Sequence, residues 1–324
     1  MAKLLRNYLE IEQTEQGLVI HRFTERQRSV YDSEENWIIR TRCPAGVSLE
    51  MISNARRIRL AFSILERTRD WSFFDLFINN TFTESRGVHL HDGALHTVDF
   101  EFARKPGEDL QRVTIYLPHS IYLALQSVEI IDGEALPVTE SIRKKLLCLG
   151  DSITQGMDAY YPSSTFPIQL ARFFEMDLLN QGVGGYIFNA RSLDAEIFYK
   201  PDLVTVAYGT NDWVRYSEHK EFMRECSLYM ERLTDIFSEA RVFVITPLWR
   251  ADSDQLSPMG SFSTLQETID SVCSAYPQIT VLSGLNMMPN LNRYFTDGLH
   301  PTDEGFGHYS INLIKSLLDN GVKS

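Results

Sequence analysis

The chain has 324 residues, 44% of them hydrophobic, enough for large packed cores, and a prior of about 150 residues per domain suggests two domains. The formal charge is −12, with lysine and arginine scattered rather than clustered, which argues against nucleic acid and anionic membranes as partners. The segment Met1–Tyr8 turns polar almost at once, and no apolar run approaches the roughly 18 residues of a spanning helix, so a cytoplasmic protein without a signal peptide is expected. The four cysteines, Cys43, Cys148, Cys226 and Cys273, are far apart and form no metal-ligand cluster, and free thiols are the natural reading.

From about Gly17 to Asp132 the chain shows short alternating runs rich in β-branched and aromatic residues. The runs are Trp37–Arg40, Arg57–Phe62, Phe73–Ile78, Thr97–Phe102 and Val113–Leu117, separated by turn signals such as Asp92-Gly93 and Lys105-Pro106-Gly107. Short strands without long helices predict an all-β sandwich or jelly roll over residues 1–138. After Pro137 the pattern becomes strand, loop, helix, repeated. Strands are expected at Lys145–Leu149, Asp177–Gln181, Leu203–Tyr208, Val242–Thr246 and Thr280–Ser283, and helices at Ser217–Ser238, Phe262–Ala275 and Asp303–Leu318. This alternation predicts an α/β unit over residues 139–324 with a parallel sheet covered by helices on both faces.

Ligand sites of open α/β sheets lie beyond the carboxyl ends of the strands. Just past the first of these strands stands Gly150-Asp151-Ser152; past the second, Asn180-Gln181-Gly182-Val183-Gly184-Gly185; past the third, Gly209-Thr210-Asn211-Asp212. A loop after the fifth leads to Asp297-Gly298-Leu299-His300. Each has a bland reading alone. Ser152 and Asp297 are candidate helix caps, and Asn211-Asp212 a plain turn. Together they bring a hydroxyl nucleophile, amide donors, an imidazole and a carboxylate to one sheet edge, which is what acyl transfer requires.

The four segments, in this order and spacing, resemble the blocks of the GDSL, or SGNH, hydrolases over roughly residues 144 to 318. Ile153 stands where the family name has leucine. The resemblance implies a flavodoxin-like sheet and ester hydrolysis with no cofactor and no metal. It implies Ser152 as nucleophile, His300 as base and then acid, and Asp297 as the group orienting the imidazole. The oxyanion donors would be the Ser152 N–H, the Gly185 N–H and the Asn211 side-chain amide, with Gly182 the alternative glycine. Asp151 and Asp212 are expected to support their loops rather than react.

Two other patterns carry less. Gly182-Val183-Gly184-Gly185, with Asp202 some distance on, echoes a dinucleotide fingerprint but lacks its third glycine. His89, His91 and His96 read as a histidine-bearing hairpin rather than a metal site. For the substrate, Tyr160, Tyr161, Tyr186, Trp213 and Trp249 fall in loops expected to rim the serine edge, with Asn189, Arg250 and Asn290 nearby. Tyr186, Trp213 and Trp249 are the substrate-binding candidates. Aromatic faces beside polar groups suit a sugar-like alcohol, and a sandwich before the catalytic unit is similar to the layout of some SGNH carbohydrate esterases. The expected substrate is a short-chain, above all acetyl, ester of a small or carbohydrate alcohol. The alternatives are a thioesterase or lysophospholipase type of hydrolase and a non-catalytic carbohydrate-binding protein; self-association stays open.

Overall fold

A computed structural model describes residues 1–90, 96–102, 110–139 and 143–323. Among them, eleven strands precede residue 138: β1 (Leu5–Arg6), β2 (Glu10–Thr14), β3 (Gly17–His21), β4 (Ser48–Ser53), β5 (Arg57–Arg67), β6 (Trp71–Ile78), β7 (Thr81–His89), β8 (Thr97–Glu101), β9 (Gln111–Tyr116), β10 (Ile121–Ile131) and β11 (Ala135–Pro137). They form two antiparallel sheets, one ordered β1-β4-β9-β6-β7 with β11 beside β4, the other β2-β3-β10-β5-β8. Inward residues of both, such as Leu49, Phe74 and Ile115 from the first and Ile58, Phe62 and Leu125 from the second, share one buried core.

One expectation fails here. Trp37–Arg40 is not a strand but part of α2 (Glu35–Arg42), which follows α1 (Glu25–Tyr31). Trp37 and Thr41, four residues apart, are the buried positions of α2, so the face repeats at the helical period rather than at two. Glu35 in the first turn and Arg40 and Arg42 in the last suit the helix dipole. Thr24 and Gln27 close a capping box on α1. These helices lean on the second unit: Phe23, Tyr31 and Trp37 belong to the same core cluster as Leu147, Leu179 and Val206.

That unit is built on five parallel strands, β12 (Lys145–Gly150), β13 (Asp177–Gly182), β14 (Leu203–Ala207), β15 (Arg241–Ile245) and, after a small hairpin of β16 (Leu256–Ser257) and β17 (Gly260–Ser261), β18 (Ile279–Leu282). The sheet order β13-β12-β14-β15-β18 is the flavodoxin-like pattern. Its helices are α3 (Ser152–Gln155), α4 (Phe166–Phe173), α5 (Asp212–Arg215), α6 (His219–Ile236), α7 (Phe262–Cys273) and α8 (Asp303–Asp319). Strand order reverses at β12, so the crevice between the loops leaving β12, β13 and β14 is the natural site for chemistry. All four cysteines are buried and free.

A buried arginine ties the two units together. Arg22, fully shielded from solvent, donates to the carbonyls of Cys43 and Arg40 on its own side. On the other side it reaches the carbonyls of Asn180 and Gly182 at the end of β13. Asn7 adds a second clamp, accepting from the Leu178 N–H at 3.0 Å and donating to Gly46. A cavity of about 300 Å³ lined by Arg112, Arg143 and Met176 also lies between the units. It faces the amino ends of the strands, because Arg143 and Met176 stand just before β12 and β13, and is therefore remote from the crevice.

Candidate active site

Ser152 opens α3 on the turn that leaves β12. Asp151, not Ser152, caps that helix, its Oδ1 accepting the Ile153 N–H at 3.0 Å. The cap position fixes the serine at the first helical residue, where its own N–H has no acceptor within the helix. Ser152 Oγ lies 2.9 Å from His300 Nε2, and His300 Nδ1 lies 2.8 Å from Asp297 Oδ2. Three residues that the sequence placed on two distant loops thus form one hydrogen-bonded chain.

The Asp297–His300 turn is organised by the carboxylate itself. Asp297 Oδ1 accepts the backbone N–H groups of Leu299 and His300 at 3.0 and 2.8 Å. Partial burial alone would raise its pKa, but the His300 side chain and these backbone donors outweigh burial and hold the carboxyl well below the usual range. Asp297 therefore stays ionised beside the imidazole. It does not cap α8, whose N-cap is Thr302.

The second and third loops supply amide donors. Asn180 Oδ1 accepts the Gly182 N–H at 2.9 Å, and Gly182 packs so closely under α3 that a Cβ would sit 2.2 Å from the Gln155 nitrogen. The Gly182 N–H is thereby already bonded to a side chain. Gly185 differs. Its φ of +77° is in the left-handed region that favours glycine, and its N–H has no acceptor among the described residues. Asn211 donates one amide hydrogen to the Tyr186 carbonyl at 3.0 Å, which orients the side chain and leaves its second hydrogen available.

Asp151 and Asp212 sit beneath these loops, both buried. Asp212 Oδ1 accepts the Phe188 N–H at 3.0 Å, while Oδ2 has no partner among the described residues. Burial pushes the Asp151 carboxyl up to about 6 and the Asp212 carboxyl up to about 7, the latter helped by the charge of Asp151. An unfolded aspartate ionises near pH 4. Between there and the raised value the folded state keeps a proton that the unfolded state has lost, so stability falls as pH rises and the penalty is complete above about pH 7. Asp212→Asn keeps the acceptor for Phe188 and removes the ionisation. The melting temperature of the variant relative to wild type should therefore climb by about a few degrees from pH 4.5 to pH 8. A gap that does not change with pH would contradict this.

Two of the three expected substrate-binding aromatics are core residues instead. Tyr186 is 1% exposed, sealed between Tyr31 and Trp37, and Trp213 is 2% exposed, packed on Phe262 with its indole N–H donated to Gly260. Neither ring offers a face to a ligand. Trp249 is half-buried against Phe295, next to the Asp297–His300 turn, and keeps its candidacy. Arg250 is buried and braces the third loop through the Thr210 carbonyl and hydroxyl, and Asn189 is a turn cap that also donates to the Tyr186 hydroxyl. Asn290 is exposed, and of the suggested histidine hairpin His91 lies outside the described residues.

Beside the imidazole stand groups that the sequence did not announce, some of them from the amino-terminal unit. Asp158, on the loop after α3, stands 3.6 Å from His300 Nδ1 and is ion-paired with Arg69. Asp158, Asp297 and His300 have their ligand atoms within 4.8 Å of one another, a spacing that would also suit a cation. Arg69 already neutralises Asp158, and Nδ1 is already committed to Asp297. Beside Asp158, Trp71 of β6 donates its indole N–H to Ala159 and packs on Tyr160, which also meets His89 and Phe73. Tyr160 and Tyr161 are 43% and 40% exposed, held by backbone bonds to Asp303 at the start of α8.

Comparison with known proteins bears on the fold. Residues 148–307 match the model of the GDSL-like lipase/acylhydrolase family. Among solved structures, the chain is similar to a salicylyl-acyltransferase, SsfX3, from a tetracycline biosynthetic pathway, at 14% identity and a TM-score of 0.80, over 98% of this chain and 94% of that one. A putative GDSL-like lipase from Bacteroides ovatus matches at 16% identity and a TM-score of 0.79, over 98% and 95% of the two chains. A family two carbohydrate esterase from Clostridium thermocellum, solved with cellohexaose, matches at 11% identity and a TM-score of 0.67, over 98% of each chain. At these identities the likeness bears on the fold, and it spans both units. No curated protein matches the chain in sequence. Residues 148–307 carry a GDSL-like lipase/acylhydrolase domain, and the chain is an ester hydrolase with two antiparallel sheets ahead of its parallel one.

Proposed function

We propose that the protein is a serine esterase that removes short acyl groups, acetyl above all, from a small or carbohydrate alcohol through an acyl-enzyme. The observation that carries this reading is the unbroken chain from Ser152 Oγ through His300 to Asp297, at 2.9 and 2.8 Å. His300 Nε2 takes the proton as Oγ attacks the ester carbonyl, and Asp297 stabilises the imidazolium that forms. The tetrahedral oxyanion is met by the N–H groups of Ser152 and Gly185 and by the Asn211 amide. The proton then passes from His300 to the leaving alcohol, and water, activated by the same imidazole, opens the acyl-enzyme.

A carbohydrate alcohol is favoured by the exposed rings beside the site. With Tyr186 and Trp213 buried, the available faces are Tyr160 and Tyr161, backed by Trp71, with Trp249 packed on Phe295. Two structural neighbours are described as a family two carbohydrate esterase with cellohexaose and an acetyl xylan esterase, which supports the same choice of alcohol. Rates on acetylated xylo-oligosaccharides and on p-nitrophenyl esters of rising chain length test the reading. Turnover should be highest with acetyl and fall with longer chains, and Tyr160→Ala should raise KM severalfold for the acetylated sugar but not for p-nitrophenyl acetate. A preference for acyl chains of eight or more carbons would overturn it.

A further inference from the structure

Arg40 reaches the site from α2, far in sequence from all four loops. Its Nη1 donates to the Gly184 carbonyl at 2.7 Å. That carbonyl and the Gly185 N–H belong to a single peptide unit. We propose that Arg40 is a positioning residue for oxyanion stabilisation, its guanidinium orienting and polarising the Gly184–Gly185 peptide. The inference rests on Gly185 being the oxyanion donor, as read above.

The physical link is the resonance of the amide. A charge-assisted bond to the carbonyl oxygen draws electron density toward oxygen, increases double-bond character in C–N and leaves the N–H more positive. Hydrogen bonds chained through polar groups strengthen one another, by about 10–30% per bond in condensed phase. The same bond resists rotation of the peptide, which matters because both of its flanking residues are glycines and Gly185 holds a φ of +77°. Donors avoid reorganisation during reaction only if they are fixed beforehand.

The surroundings of Arg40 fit that task. The neighbouring arginines are neutralised, Arg69 by Asp158 and Arg215 by Glu34, whereas Arg40 makes no ion pair among the described residues and its buried Nε has no partner there. The charge is thus directed at a peptide rather than at a carboxylate. A Cβ on Gly185 would lie 3.0 Å from Arg40 Nη1, so the cation is packed directly on the donor residue. Gln155 closes the frame: its Oε1 accepts the Gly184 N–H at 2.9 Å, and its Nε2 contacts the His119 and Arg40 carbonyls at 3.2 and 3.5 Å. Arg22 secures the Arg40 backbone from the other side at 3.0 Å. The amino-terminal unit therefore completes the catalytic apparatus rather than standing beside it.

The test uses Arg40→Met, Arg40→Lys and Arg40→Ala in the full chain. It measures kcat and KM on p-nitrophenyl acetate, the melting temperature, and inhibition by methylboronic acid, whose serine adduct places an oxygen where the oxyanion forms. Arg40→Met should lower kcat by about tenfold to a hundredfold, with KM within about twofold, and weaken boronate inhibition by a similar factor. Arg40→Lys, which keeps a charged donor without the guanidinium fork, should lose severalfold, and added methylguanidine should restore part of the activity of Arg40→Ala. Should Arg40→Met not fold, Arg40→Lys carries the test. A folded variant with unchanged kcat and boronate affinity would overturn the inference, as would a loss matched only by a loss of folded protein. Ser152→Ala separates the two readings. Turnover that survives it undoes the serine-esterase reading, whereas loss there with none at Arg40 overturns the present inference alone.

Discussion

Ser152→Ala should lower kcat on p-nitrophenyl acetate by roughly 10⁵–10⁶, the scale seen when a serine hydrolase loses its nucleophile. Among the described residues no second nucleophile is exposed beside Ser152: the four cysteines are buried and none lies in the four loops, and Thr154, within α3, is buried too. His300→Ala should cost about as much, and the double variant no more than either, because the two groups act on one proton. What remains would be the contribution of the oxyanion donors and of substrate binding. The fold should tolerate the change. The alanine variant loses one hydroxyl bonded to His300, worth about 1 kcal/mol at most, so the melting temperature should move little. Activity lost together with the fold would not count as support; activity retained in a folded variant would refute the assignment.

Asn211→Ala is the second large expectation, a fall of about 10²–10³ in kcat with KM little altered, as befits a donor that acts on the transition state. Asn211 stands at the N-cap of α5 in a helical backbone conformation and makes no capping bond, so its side chain is not needed to start the helix. Its amide is instead tethered to the Tyr186 carbonyl, the residue after Gly185, which couples the third loop to the second. Asn211→Asp is the sharper probe. It preserves shape but replaces a donor with a negative charge facing the developing oxyanion, and it should be at least as damaging as alanine. A reduction under about fivefold in both variants would remove Asn211 from the oxyanion site.

Much of this site is legible in the sequence because its parts are local. Each of the four blocks follows an apolar strand, and a parallel sheet carries every such loop to the same edge, so Ser152, Asn211 and His300 could be brought together without knowing a single distance. That the Gly182 N–H is bonded and the Gly185 N–H is not was not legible, since it depends on the Asn180 side chain. The aromatic residues misled for a related reason. Tyr186 and Trp213 stand in loops, yet α1 and α2 of the amino-terminal unit cover Tyr186, and the β16–β17 hairpin accepts the indole N–H of Trp213.

The amino-terminal contribution was the least readable. Arg22, Arg40 and Arg69 belong to no motif, and their partners are 158, 144 and 89 residues away along the chain. Trp37–Arg40 looked like a strand because Trp-Ile-Ile is a β-rich triplet, while the acidic start and basic end of α2 pointed the other way. Once that segment is a helix, Arg40 faces the glycine loop. Arg69 meanwhile holds Asp158 beside His300, so the amino-terminal unit touches both the Gly184–Gly185 peptide and the surroundings of the imidazole.

The central claim is that Ser152 is the nucleophile of an acyl-transfer site. Labelling the protein with a fluorophosphonate, followed by mass spectrometry of its peptides, tests it most directly. One adduct on the peptide containing Ser152 is expected, forming in step with loss of esterase activity and much more slowly in His300→Ala. Full inactivation with the label on another residue, or ester hydrolysis by a protein that Ser152 labelling leaves active, would contradict it.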